Sequence, residues 1–142
     1  MKTRPGTIWI FALVLWSSTL SAVEYRCDVK QKLFFSGSGT AEREIKVHMT
    51  TPEDLEKYQF HLLVVDTEDK TIVSRCSFTP SAGKITCDPY TPDEVMRDPF
   101  VKIKKYYYFA GQFDLQIFAN MTFVENNGRG GIAFGRCEAT AP

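Results

Sequence analysis

The residues with chemistry to offer are few. The histidines are His48 and His61, and no H-x-H or H-E-x-x-H spacing joins them into a metal site. Glu53, Asp54 and Glu56, with Asp93 and Glu94, are the acids that would serve as paired carboxylates for general acid–base work. Both groups follow a Thr-Pro pair, where compensation of a helix dipole already explains acidic residues. No G-x-S-x-G elbow is present. The cysteines, Cys27, Cys76, Cys87 and Cys137, lack the C-x-x-C pairs favoured by zinc sites. The pattern therefore assigns no catalytic residue, no metal and no cofactor. An enzyme would need His48 or His61 to cluster with acids that are distant in sequence.

The cysteines do point to structure. The chain opens with Met1-Lys2-Thr3-Arg4, an apolar run from Ile8 to Trp16, and Ser17-Ser18-Thr19-Leu20-Ser21-Ala22. A basic start, a short apolar stretch and small residues make a signal peptide over 1–22, leaving 23–142 as a single domain. The apolar run falls short of the roughly 20 residues that span a bilayer. Cys27 follows Val23-Glu24-Tyr25-Arg26 rather than small residues, which argues against a lipid anchor. The domain is thus expected to be exported, periplasmic or secreted, where an even cysteine count reads as disulfides. Basic and acidic residues balance at 17 each, and loss of Lys2 and Arg4 with the signal tips the rest slightly acidic. A nucleic-acid binder would show a basic excess.

The best candidate for a binding face is where cations meet rings. Lys102, Lys104 and Lys105 run into Tyr106, Tyr107 and Tyr108. Arg129 lies in the glycine-rich stretch Asn126–Gly131, whose backbone N–H groups would suit an anion nest. Lys102, Lys104, Lys105, Tyr106, Tyr108 and Arg129 make up the candidate surface. Asn120-Met121-Thr122 matches an N-glycosylation sequon, and the pattern places it mid-strand. Phe34, Phe118 and Val124 fall on the outward phase of their strands, as an apolar patch or under a second layer.

Period-two alternation predicts the elements that position these residues: eight strands, at 24–35, 44–49, 58–66, 71–78, 85–87, 100–109, 113–124 and 131–138. Thr51-Pro52-Glu53-Asp54 and Thr91-Pro92-Asp93-Glu94 each read as the start of a short helical turn. Pairing two strands about Ser81 and Ala82 sets Phe78 opposite Ile85 and Cys76 opposite Cys87, close enough for a disulfide. That leaves Cys27–Cys137 to tie the first strand to the last. The fold class is all-β, a single antiparallel barrel-like domain of about eight strands closed by that bridge. A two-sheet sandwich fits the same pattern.

The opening Glu24-Tyr25-Arg26-Cys27 and the closing Gly135-Arg136-Cys137 resemble the ends of small periplasmic β-barrels such as the inhibitors of C-type lysozyme. The resemblance stops at the chain ends. Thr40 and Ala41 follow Ser36-Gly37-Ser38-Gly39 where that family has Ser-Gly-x-x-Tyr, so its inhibitory residues are not carried over. The expected function is a binding or interaction module for a protein or cell-envelope partner. A lipocalin-like carrier of a small apolar ligand is the alternative, although eleven phenylalanines favour a filled interior. An enzyme with an unrecognised site is the third class.

Overall fold

A computed structural model describes residues 23–37 and 45–140. The expected export signal lies outside the described residues. The cysteines mark the middle of the sheet. Strand β1 (Val23–Gly37) runs antiparallel to β10 (Gly131–Thr140), and Cys27 sits directly opposite Cys137, bridged at a Cα separation of 3.8 Å. Outward from β1 come β3 (His61–Asp66), β4 (Thr71–Thr79) and β5 (Lys84–Tyr90). Outward from β10 come β9 (Thr122–Asn126), β8 (Phe113–Ile117), β7 (Lys104–Tyr108) and β6 (Glu94–Arg97). The far half of β1 pairs with β2 (Ile45–Met49), and a short helix α1 (Pro52–Tyr58) carries the chain from β2 to β3.

The result is one curled antiparallel sheet, a half-barrel of ten strands. The first and last strands do not form a closing seam. They lie at the centre because β1 has β10 on one side and β2 and β3 on the other. The edges of the curl are β5 and β6. The interior is filled by Tyr25, Leu62, Val64, Val73, Tyr106, Phe113, Leu115, Ile117 and Phe123 around the Cys27–Cys137 bridge. The second bridge joins Cys76 and Cys87 in the register expected of the β4–β5 hairpin, with Phe78 opposite Ile85 and Ser77 opposite Thr86.

Helix α1 starts as its sequence dictates. The Thr51 hydroxyl accepts the Asp54 N–H at 3.1 Å, Pro52 opens the first turn, and Gln59 at φ 50° ends it. The second Thr-Pro-acid-acid segment makes no helix. The Asp93 N–H donates to Tyr107 O and its carboxylate accepts the Phe109 N–H, both at 2.7 Å, so the segment enters β6 beside β7. An isolated helical turn has little stability of its own, and strand pairing wins.

Ten strands replace the expected eight because β6 forms at Glu94–Arg97, where a helical turn was expected, and because the run 113–124 contains a turn. The run 100–109 is shortened to β7: the Asp98 carboxylate accepts the N–H groups of Phe100 and Val101, and the chain reverses before β7, leaving Phe100 91% exposed. In the run 113–124, Met121 at φ 65° turns the chain between β8 and β9. The sequon residue Asn120 is therefore exposed in a hairpin turn, where its side chain accepts from the Thr122 N–H and hydroxyl.

A bulge in β1 changes which side chains face inward. The register with β10 shifts between Val29 and Gln31, so Lys32, not Gln31, continues the inward face of Cys27 and Val29. Gly135 lies opposite Val29, and a Cβ there would come within 2.0 Å of Asp28 O.

The bridges close loops of very different length, with sequence separations of 110 and 11. On the chain-entropy model these correspond to about 5 and about 3 kcal/mol. Replacing Cys27 and Cys137 by alanine is expected to lower the unfolding free energy more than replacing Cys76 and Cys87. Denaturant titration of the two double variants, followed by far-UV circular dichroism, checks the order.

Candidate binding site

At one end of the half-barrel the two sides of the sheet are tied together by a buried carboxylate. Asp66 ends β3, yet its partners come from the opposite wall, β6 and β7. Its Oδ2 accepts from the Tyr106 hydroxyl at 3.0 Å, Lys104 Nζ at 3.3 Å and Arg97 Nε at 3.4 Å. Its Oδ1 accepts from Arg97 Nη2 and from the Thr71 hydroxyl at 3.2 Å. Lys104 Nζ also donates to the Tyr25 hydroxyl at 2.6 Å and lies over that ring. A carboxylate has about four lone-pair positions, so Asp66 is saturated. Burial alone would raise its pKa. The hydrogen bonds from Arg97 and Tyr106 and the nearby charge of Lys104 outweigh burial and hold it below the usual carboxylate range. Burial, reinforced by the negative charge of Asp66, pushes the Tyr106 phenol far up.

This arrangement divides the residues singled out in the sequence. Tyr106 is 0% exposed and so is no surface residue, and Lys104 is half-buried with its ammonium turned to Asp66. Their phase of β7 looks polar in sequence but faces inward, because Asp66 receives the polar ends. Lys102 is exposed in the turn before β7, with φ 56°, and Lys105 is half-buried on the other face of the strand. Tyr108 and Arg129, by contrast, are brought together around a cleft of about 280 Å³ at the opposite end. No sequence period links those two; hairpin geometry does.

That cleft is built from rings and arginines. Tyr90 of β5 reaches across the open side to Tyr108, with ring centroids 5.4 Å apart, and to Phe113 at 5.6 Å. The Arg75 guanidinium lies 5.5 Å from the Phe113 centroid, and Arg129 is exposed at the rim. The rim is stiff. Asn127 Oδ1 accepts the N–H groups of Arg129 and Gly131, and Asn126 Oδ1 accepts that of Gly128. Those amides therefore serve the loop's own turns rather than an anion nest. Gly128 has φ 68°, and a Cβ there would meet Gly111 O at 2.1 Å, so the two loops of the rim pack backbone to backbone.

Arg75 also lines a second cleft, of about 190 Å³, with Lys32, Phe60, His61, Asp88 and Glu125. Glu125 on β9 is buried, its side chain 5% exposed. Arg75 Nε stands 2.8 Å from Glu125 Oε1, but the N–H is not aligned with the oxygen, and Oε1 has no hydrogen-bond partner. Burial is the main cause of the raised pKa of Glu125; Arg75 and Lys32 limit the rise. Lys32 lies over the Phe60 ring at 4.1 Å and the Phe34 ring at 5.0 Å, and burial lowers its pKa. Sequence reasoning missed this cluster, since the bulge that turns Lys32 inward leaves no mark in the alternation. An acid at Glu125, in phase with Phe123, was the one available hint.

His61 is buried with Nδ1 2.8 Å from Gln59 O. Its ring lies beside Cys76 and Cys87, with candidate ligand atoms of the three residues within 4.8 Å of one another. Both sulfurs are committed to their bridge, so the group offers no thiolate to a metal. His48 is exposed on β2. Among the described residues, no helix is long and apolar enough to cross a membrane.

No protein-family model matches this chain, and no curated protein or solved structure matches it either.

Removing the carboxylate of Asp66 would strand the buried Tyr106 hydroxyl and unpair Arg97 and Lys104, which are partly exposed. Asp66→Ala is expected to cost about 1–3 kcal/mol of stability, chiefly through the unsatisfied hydroxyl. Because the folded pKa of Asp66 is depressed, its contribution is present above the unfolded value of about 3.9 and is lost as pH falls through the lower folded value. Glu125 acts with the opposite sign: its raised pKa makes stability fall as pH rises from about 4.3 through its folded value. Unfolding midpoints measured from acid to neutral pH should show the acid loss in the wild type and a reduced loss in Asp66→Asn.

Proposed function

We propose that this protein is an exported binding module whose recognition face is the cleft between Tyr90, Tyr108, Arg75 and Arg129, and whose partner presents carboxylates on a protein or cell-envelope surface. Two disulfides suit an oxidising, non-cytoplasmic compartment. The observation that carries the reading is the placement of Arg129 and Arg75 beside an aromatic stack in one cleft. Arginine offers a planar fork of donors to a carboxylate, and rings add contact area at low entropic cost. The interior supports a module of this kind over a carrier, since Tyr106, Phe123 and Leu115 occupy the space that an apolar guest would need.

Each exposed cation–ring or charge contact is worth about 0.5–1 kcal/mol, so affinity depends on several acting together. Binding of a fluorescent glutamate-rich peptide, followed by anisotropy at low and high salt, tests the reading. The wild type should bind with clear salt dependence, and Arg129→Glu with Tyr108→Ala should remove the signal. Unchanged binding in that folded double variant would sink the proposal. Lys104 is unsuited to such a test, because its loss would disturb Asp66.

A further inference from the structure

We propose that Cys76–Cys87 is a redox-active bridge that exchanges with small thiols, Cys87 being the sulfur attacked and Cys76 the sulfur released beside His61, while Cys27–Cys137 stays closed. The site is distinct from the recognition face proposed above, since neither cysteine lines that cleft.

Exchange begins when a thiolate reaches one sulfur of a bridge, so access decides which bridge reacts. Cys27 and Cys137 are 0% and 1% exposed, and their bridge belongs to the apolar interior at the centre of the sheet. A thiolate reaches them only when the sheet opens. Cys87 is exposed on β5, an edge strand that pairs on one side alone, with β4. Every residue from Lys84 to Pro89 is exposed, so the strand gives this sulfur no cover. Cys76 is 4% exposed, which makes Cys87 the point of attack.

Attack at Cys87 releases Cys76, whose surroundings suit a thiolate. His61, Cys76 and Cys87 form one row across β3, β4 and β5, with His61 opposite Cys76 and Cys76 opposite Cys87. One ring nitrogen of His61 and the two sulfurs lie within 4.8 Å of one another. A carbonyl can only accept, so the contact of Nδ1 with Gln59 O at 2.8 Å places a ring proton on Nδ1. A second proton, on Nε2, makes the ring a cation beside the sulfur, the setting in which thiolates are stabilised. Cys76 also lines the cleft of about 190 Å³, so the released sulfur is not sealed in an apolar core.

The bridge is dispensable to the hairpin around it. Residues Val73–Thr79 pair with Tyr90–Lys84 along the whole β4–β5 ladder, which keeps the two sulfurs opposed once they part. Opening is therefore local, and reclosure is intramolecular. In the first step a thiolate sulfur bonds to Cys87 Sγ, the Cys76–Cys87 bond breaks, and its electron pair leaves with Cys76 Sγ. In the second, another thiolate attacks the bound thiol's sulfur, and Cys87 departs as a thiolate. Two thiols are oxidised to one disulfide, the bridge gains two electrons, and the two thiol protons end on Cys76 and Cys87.

The test is incubation of the oxidised chain with graded ratios of reduced to oxidised glutathione, followed by acid quenching, alkylation and peptide mass spectrometry. Cys76–Cys87 should open at ratios that leave Cys27–Cys137 intact and the far-UV circular dichroism unchanged. Trapped glutathione should sit on Cys87, with Cys76 alkylated. His61→Gln should slow the exchange about threefold or more and diminish the ultraviolet thiolate absorbance of the reduced protein, a signal that a packing role would not move. Opening of both bridges together, loss of the fold as Cys76–Cys87 opens, glutathione mainly on Cys76, or an unaltered rate in folded His61→Gln would overturn the proposal. If His61→Gln fails to fold, the order of opening and the site of the adduct in the wild type decide.

Discussion

A buried carboxylate ties the two walls of the half-barrel together over its apolar interior. Hydrogen bonds within the sheet fix neighbours but do not bring β3 against β6 and β7, which lie several strands away. Asp66 does, through Arg97, Lys104 and Tyr106. Burying an ion is costly, and the cost is offset only when every lone pair finds a donor. Here the donors come from two walls at once. An open, flatter sheet would leave Asp66 with Thr71 alone, so the saturated arrangement favours the curled state together with burial of the apolar interior.

The two ends of the barrel treat buried acids differently. The Asp66 end is fully satisfied and has its pKa drawn down; the Glu125 end is under-satisfied and has its pKa pushed up. Saturation makes a structural tie, because nothing is left for a ligand to supply. The same residue chemistry thus gives a lowered pKa at one end and a raised one at the other, and the donors around each carboxylate decide which.

Features that depend on local pairing were legible in the sequence. Opposing Cys76 and Cys87 across a short turn needed only the hairpin register, and the Thr51 cap needed only its own first turn. What was hidden depends on residues far apart. Thr91-Pro92-Asp93-Glu94 carries the same cap pattern as Thr51-Pro52-Glu53-Asp54, but Asp93 is claimed by the backbone of β7. Lys104 and Tyr106 resemble surface residues until Asp66 arrives from β3. Lys32 reads as outward until one extra residue in β1 reverses the phase. Of the candidate surface, Tyr108 and Arg129 meet in a cleft, Lys104 and Tyr106 are drawn into the interior, and Lys102 and Lys105 stand apart from both clefts.

A curled sheet that does not close keeps two rims, β5 and β6, and an unpaired rim can recruit further chains into fibrils. The β5 rim contains Pro89, opposite Ser74, which has no N–H to offer an incoming strand. Tyr90, one residue on, pairs with Val73 and ends the strand with its ring turned toward Tyr108 and Phe113. At the other rim, β6 spans just four residues and Arg97 is turned to Asp66. The proline and the brevity of β6 therefore both reduce the backbone these rims offer to an incoming strand.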